Sequence, residues 1–259
     1  MKRTSVLILV ATLAVVSGVQ AGNGTGNCGG LLGIIEELPF EEVSAAELAD
    51  LTLMREEEKV ARDIYGAMDE LWGMRIFSQI KWAEQAHMDA LFALFEKYDL
   101  IDPVGDNAPG VFSDPAMQAL FDQLLDLGSQ SLIAALGVGA TIEDVDIFDL
   151  DEALANADNM DLLTVYQNLQ KGSRNHMRAF VSVLERNGES YTPQYLTQAE
   201  YEEIVTSPWE HGMLDADGNP MDCVSGGGGG GGGGGQHGPG HHNRHKHQNG
   251  GGNVGLGGR

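Results

Sequence analysis

Four stretches of this chain carry apolar residues at helical spacing, and each sets a carboxylate or an imidazole in its apolar stripe. The clearest runs from about Ile76 to Tyr98. With Glu84 at zero and ~100° per residue, Phe77, Ile80, Met88, Leu91, Leu94, Phe95 and Tyr98 fall in an arc centred near Glu84 and His87. The i, i+3 spacing puts these two polar side chains on one side of the helix. Buried there, they cost several kcal/mol unless something pairs with them. It is also the geometry by which helix bundles hold a metal in their core.

The other three stretches repeat the anomaly. From the cap at Ser44 to about Trp72, Leu51, Met54, Ala61, Tyr65 and Met68 share a face with Glu58, while Glu57 lies ~100° to one side. Either carboxylate fits the broad apolar arc. From Ser129 or Ser131 to about Leu154, the stripe of Leu132, Leu136, Ile147, Leu150 and Leu154 has Glu143 at its centre and Asp146 one turn on. Gly137 and Gly139 are expected to weaken the middle of that helix and kink it. From Asn159 to about Glu185, His176 falls among Leu162, Val165, Tyr166, Leu169, Phe180 and Val183. The candidate metal ligands are therefore Glu58, Glu84, His87, Glu143, Asp146 and His176. The competing reading pairs the buried carboxylates with Arg62, Arg174 or Arg178. Tyr65 and Tyr166 read as core fillers.

Local signals bound these helices. Ser44 and Glu47 form a capping box, Gly73 breaks the first helix, and Asn187-Gly188 stops the last long one. Asp114-Pro115 opens a short helix to about Leu127, and Thr197 to Val205 makes another. No window alternates with period two, so strands are not expected. A tight link joins the first two long helices, whereas a long one separates the second from the third. The expected fold is all-α, a ferritin-like four-helix bundle with one long crossover connection.

Outside that domain the composition changes. Residues 1–21 read as a secretory signal peptide, with Lys2 and Arg3 before a short apolar run and a small-residue cleavage site at Val19-Gln20-Ala21. Residues 22–43 read as a linker, 44–206 as the helical domain and 207–224 as an extension. Residues 225–259 read as a Gly/His-rich tail with too little apolar surface to fold. The expected location is secreted, periplasmic or cell-envelope, with no membrane contact once the signal segment is cleaved. A formal net charge of −23 argues against nucleic acid and anionic membranes and favours cations as partners. A homodimer is compatible with this composition.

The motifs also carry a resemblance. The run Glu58–Tyr65 (EKVARDIY) is similar to the first-helix Glu-x-x-Ala-Arg-x-x-Tyr signature of rubrerythrin-type proteins in the ferritin-like superfamily, where the Glu binds metal. Glu84–His87 is similar to the second-helix Glu-x-x-His. A group of exported ferritin-like domains of unknown function is resembled more closely, through Arg55–Arg62 (REEEKVAR), Glu84–Met88 (EQAHM) and Gly172–Phe180 (GSRNHMRAF). The chain departs from a symmetric di-iron pattern at Ser173, where a second Glu-x-x-His would place a carboxylate. Either Asp146 replaces it, or the site holds one ion well and a second poorly.

Carboxylate and imidazole ligands suit iron or manganese, and also accept zinc. The expected function is metal binding, with di-metal oxidoreductase chemistry on dioxygen or peroxide as the reaction class. The alternatives are a non-catalytic metal store or scavenger of the cell envelope, and a structural bundle whose metal site is vestigial. Cys28 and Cys223 are the only cysteines and bracket the helical region. In an exported protein they are expected to form a disulfide, constraining the unfolded chain by about 2–4 kcal/mol. Thiol titration of denatured, non-reduced protein should find none free; two free thiols would reject the pairing.

Overall fold

The computed structural model describes residues 30–221, so the expected signal segment, both cysteines with their expected pairing, and the Gly/His-rich tail lie outside the described residues. Within that range the protein is all-helical. The helices are α1 (Gly30–Glu37), α2 (Ala45–Trp72), α3 (Arg75–Lys97), α4 (Pro115–Gly128), α5 (Leu132–Asn156), α6 (Met160–Arg186) and α7 (Gln198–Thr206). Among the described residues the sole β feature is an isolated bridge between Leu214 and Pro220. No described helix is long and apolar enough to cross a membrane.

Capping chemistry fixes the ends of the long helices. The Ser44 hydroxyl accepts from the Glu47 amide at 3.2 Å, and Glu47 Oε2 accepts from the Ser44 amide at 2.8 Å. Glu47 Oε1 meanwhile accepts from the amides of Asp158 and Asn159, the latter the N-cap of α6. One buried carboxylate thus satisfies the open N-termini of two helices and ties them together. Gly73, at φ 62°, ends α2 in the left-handed region, and α3 starts two residues later. Gly137 and Gly139 do not break α5, which is helical from Leu132 to Asn156. Gly139 serves packing instead: a Cβ there would lie 2.4 Å from the Phe180 ring.

The long helices pack as neighbouring pairs, α2 with α3 and α5 with α6, which meet through α2–α5 and α3–α6 contacts. The connection from α3 to α5 carries α4 and is pinned by buried charge pairs. Arg55 donates to Asp102 at 2.9 and 3.1 Å. Lys59 pairs with Asp63 at 2.5 Å and also donates to the Ala108 carbonyl, while Asp63 accepts from the Gly110 amide. The fully buried Lys59 and Asp63 are therefore matched to the connection's backbone rather than left unpaired.

The supposed linker at 22–43 needs correction, because it contains α1. Ile34 and Ile35 are buried, and Ile35 joins the core formed with Leu51, Leu91 and Leu94. The α1 C-terminus is capped by Lys97, whose ammonium donates to the carbonyls of Ile35, Leu38 and Pro39. A cap some sixty residues away leaves no local signature. The segment after α7 is also fastened, since Asn168 exchanges two hydrogen bonds with the Leu214 backbone.

The apolar interior divides into two clusters. One gathers Val60, Ala61, Tyr65, Phe77, Ile80, Met177 and Phe180; the other gathers Leu51, Met54, Leu91, Leu94, Leu162 and Leu169. On α2, α3 and α6 the stretch between the two sets is where Glu58, Glu84, His87, Ser173 and His176 fall. A polar layer thus lies between two apolar ones.

Candidate metal centre

Each of α2, α3, α5 and α6 delivers side chains to this layer. Glu84 is central. Its Oε2 lies 2.7 Å from His87 Nδ1 and its Oε1 lies 2.9 Å from His176 Nδ1. Glu58 Oε2 lies 3.2 Å from His87 Nδ1, and Glu143 Oε2 lies 3.4 Å from His176 Nδ1. The two imidazole rings stand 5.7 Å apart. These residues form two sets, Glu58/Glu84/His87 and Glu84/Glu143/His176, with donor atoms in each set within 4.8 Å of one another. Glu84 belongs to both.

Five of the six sequence candidates, Glu58, Glu84, His87, Glu143 and His176, are therefore brought together as ligand sets. The sixth, Asp146, belongs to neither set but is buried beside them. Its Oδ2 accepts the Ser173 hydroxyl, so the serine that replaces the expected glutamate holds the aspartate. Glu58, not Glu57, enters the layer; Glu57 faces Asp149 on the α2–α5 side. Arginine pairing is absent here. Arg62 binds Asp63 and Gln85, while Arg174 and Arg178 converge on Glu210. Among the described residues no Lys or Arg forms an ion pair with Glu58, Glu84, Glu143 or Asp146.

Two features escaped the sequence reading. Tyr65, which reads as core filler, donates its hydroxyl to Glu143 Oε1 at 2.5 Å. Gly172 gives His87 its room: a Cβ there would lie 2.5 Å from His87 Nε2. The position falls within GSRNH, but a helical glycine gives no local sign that an imidazole on another helix needs its space.

The donors fit a metal ion by a direct criterion. Glu58 Oε1 is buried without a hydrogen-bond partner, and His176 Nδ1 is close to Glu84 but off the hydrogen-bond line. A buried carboxylate oxygen without a donor and an imidazole nitrogen misaligned with its carboxylate neighbour leave positions that a metal ion would fit. Protons hold the charges meanwhile. Burial opposes the charge on His176, but Glu84 and Glu143 outweigh it and push its pKa up to about 10. His87 is likewise raised, burial being outweighed by Glu58 and Glu84. Burial tends to lift Glu84 too, yet the flanking histidines hold it well below the carboxylate range. Burial, with the charge on Glu84, raises Glu143 to about 7 and Asp146 to about 6.

Residues 47–208, more than half of the chain, match the family described as an uncharacterized protein domain, DUF2202. The chain belongs to this family. It is 49% identical over 183 residues to the uncharacterized protein MJ0754 of Methanocaldococcus jannaschii, covering 71% of this chain and 99% of that protein. It is also similar to the crystal structure of hypothetical protein MJ0754 from Methanococcus jannaschii, at 50% identity with a TM-score of 0.66. That match covers 67% of this chain and 99% of the other.

Two outcomes follow from the layer's packing and charge. Glu143, Asp146 and His176 have folded pKa values above their unfolded ones, so the metal-free fold holds the extra protons. Their stabilisation is complete at low pH and is lost as pH rises through about 6, 7 and then 10. Urea unfolding of chelator-treated protein should lose on the order of 3–6 kcal/mol between pH 5 and 8; flat or rising stability would contradict the proton inventory. Gly172→Ala should gain up to about 1 kcal/mol of helix propensity but lose about 1–3 kcal/mol to the clash with His87. Net destabilisation in urea is expected, and net stabilisation would show that the imidazole is free to move.

Proposed function

We propose that this protein is a ferritin-like metalloprotein, with α2, α3, α5 and α6 as its four-helix bundle and the α4-bearing connection as its one long crossover. The observation that carries the reading is Glu84, shared between two ligand sets that, among the described residues, no Lys or Arg neutralises. Glu58, Glu84 and His87 would hold one ion; Glu84, Glu143 and His176 would hold the other. Asp146, held by Ser173, lies beside both sets in place of the absent fourth-helix glutamate.

Iron is the favoured metal, with manganese or zinc compatible with the same donors, and bound iron or manganese would supply redox chemistry toward dioxygen or peroxide. The chain's own residues set the conditions for it. Carboxylates and imidazoles from four helices would surround the ions, and the apolar clusters on either side would keep water from them. Tyr65 holds a proton against Glu143, fixing which oxygen of that carboxylate is left for an ion. The resemblance of residues 1–21 to a signal peptide favours action in the cell envelope or outside the cell. The charge of −23 and the His-bearing tail would gather cations there, which also suits a non-catalytic store.

Full-length parent, Glu84→Ala, His87→Ala and Glu58→Ala should be compared for metal stoichiometry and thermal shift, so that any tail-bound ions cancel in the differences. At metal a hundredfold above its dissociation constant the parent should gain about 2.7 kcal/mol. Glu84→Ala and His87→Ala should lose that shift and their core ions, and Glu58→Ala should bind more weakly. Parent-like stoichiometry and shift in the first two variants would sink the metal reading. Iron-loaded parent should change absorption on adding dioxygen or peroxide; stoichiometric binding without that response would favour the store.

A further inference from the structure

Beside the carboxylate–histidine layer, between α2, α4 and α5, lies a cavity of about 90 Å³. Val60, Leu124, Ile142 and Val145 make its walls apolar. It reaches the surface at Leu120 and Tyr195, which are 37% and 52% exposed. Asp144 fixes the Tyr195 side of this mouth, its carboxylate accepting from the Tyr195 and Leu196 amides. At the inner end are Glu57 and Asp146. Asp146 is thus a shared wall, lining the cavity while lying beside Glu84 and Glu143.

Glu57 is the informative residue. Its carboxyl group lies against the Asp149 carboxylate, and its Oε2 is buried with no hydrogen-bond donor in reach. A buried acceptor left unmatched destabilises a fold, whereas an apolar side chain of similar size would complete the apolar lining. The centre does not use Glu57, because Glu58 supplies the α2 ligand. An unmatched acceptor at the foot of an apolar cleft calls for a ligand that brings one donor on an otherwise apolar body.

We propose that this cleft binds a small aliphatic molecule with a hydrogen-bond-donating head, an alcohol or a primary amine, with the head on Glu57 and the chain among Val60, Ile142 and Val145. A water molecule needs ~10–15 Å³ of such space, so the cleft suits a ligand of about six to eight heavy atoms. Carboxylates are disfavoured, because Asp146 and Asp149 already crowd negative charge beside Glu57, whose pKa burial and those two aspartates push up. As a binding site the cleft stands by itself; as the substrate pocket of the adjacent centre it rests on the metal reading above.

The test titrates 1-hexanol, hexylamine and hexanoate into metal-free full-length protein, following the methyl resonances of Val60, Ile142 and Val145. The alcohol or the amine should shift them saturably, at least tenfold more tightly than hexanoate, and the tighter of the two identifies the head group. Glu57→Leu should weaken that binding about tenfold, while Glu57→Gln, which keeps an acceptor, should stay within about threefold of the parent. If Glu57→Leu fails to fold, Val145→Trp fills the cleft from α5 and should abolish binding. Equal affinity for hexanoate, no shift at these methyls, or parent-like affinity in Glu57→Leu or Val145→Trp would overturn the proposal. With cobalt(II) bound in the centre, the alcohol or amine should alter the cobalt absorption. An unchanged spectrum with the cleft filled would remove the substrate role. Hexanol or hexylamine binding in a chain that takes up no metal would sink the functional reading and leave the cleft standing; metal uptake without such binding would do the reverse.

Discussion

Glu84 places one carboxylate oxygen 2.7 Å from His87 and the other 2.9 Å from His176, and the packing around it is arranged to keep that possible. Four carboxylates and two imidazoles occupy one buried layer, and among the described residues no Lys or Arg is paired to those carboxylates. Desolvating that much negative charge costs several kcal/mol per ion unless it is neutralised. Protons do so in part, which is why Glu143 and Asp146 titrate high and the histidines stay charged. Metal ions would do it with better geometry, satisfying the orphaned oxygen of Glu58 and the misaligned nitrogen of His176 together.

The rest of the fold holds four helices in the register this layer requires. Glu47 caps α2 and α6 at once, and Arg55, Lys59 and Asp63 pin the long connection across α2. Above and below the layer, the two apolar clusters supply the burial that offsets its cost. Gly172 and Gly139 let side chains from facing helices approach, His87 in one case and Phe180 in the other. Arg174 and Arg178 are held away from the centre by Glu210, leaving its negative charge unmatched by guanidinium.

Much of this was legible in the sequence because it is local. Caps at Ser44 and Thr197 set helix starts within a residue, Ser131 proved to be the cap of α5 where Ser129 was equally open, and 3.6-residue periodicity placed Glu58, Glu84, His87, Glu143 and His176 on inward faces. What escaped depends on contacts between distant segments. Helix α1 is capped by Lys97, Tyr65 finds Glu143 across the core, and Gly172 makes way for a ring on another helix. The choice between Glu57 and Glu58 was open for the same reason. Both lie within the α2 apolar arc, and only the packing of α3 and α5 sends one to the centre and the other to the cleft. Asp146 was legible as an inward carboxylate, but its partnership with Ser173 belongs to the α5–α6 pairing.

The central claim is that the buried layer is a metal centre bridged by Glu84. Anomalous diffraction at the edge of whatever metal accompanies the natively purified, full-length protein tests it most directly. Two peaks are predicted, one among Glu58, Glu84 and His87 and the other among Glu84, Glu143 and His176. A layer with no anomalous peak, in which both imidazoles simply donate protons to Glu84, would contradict it.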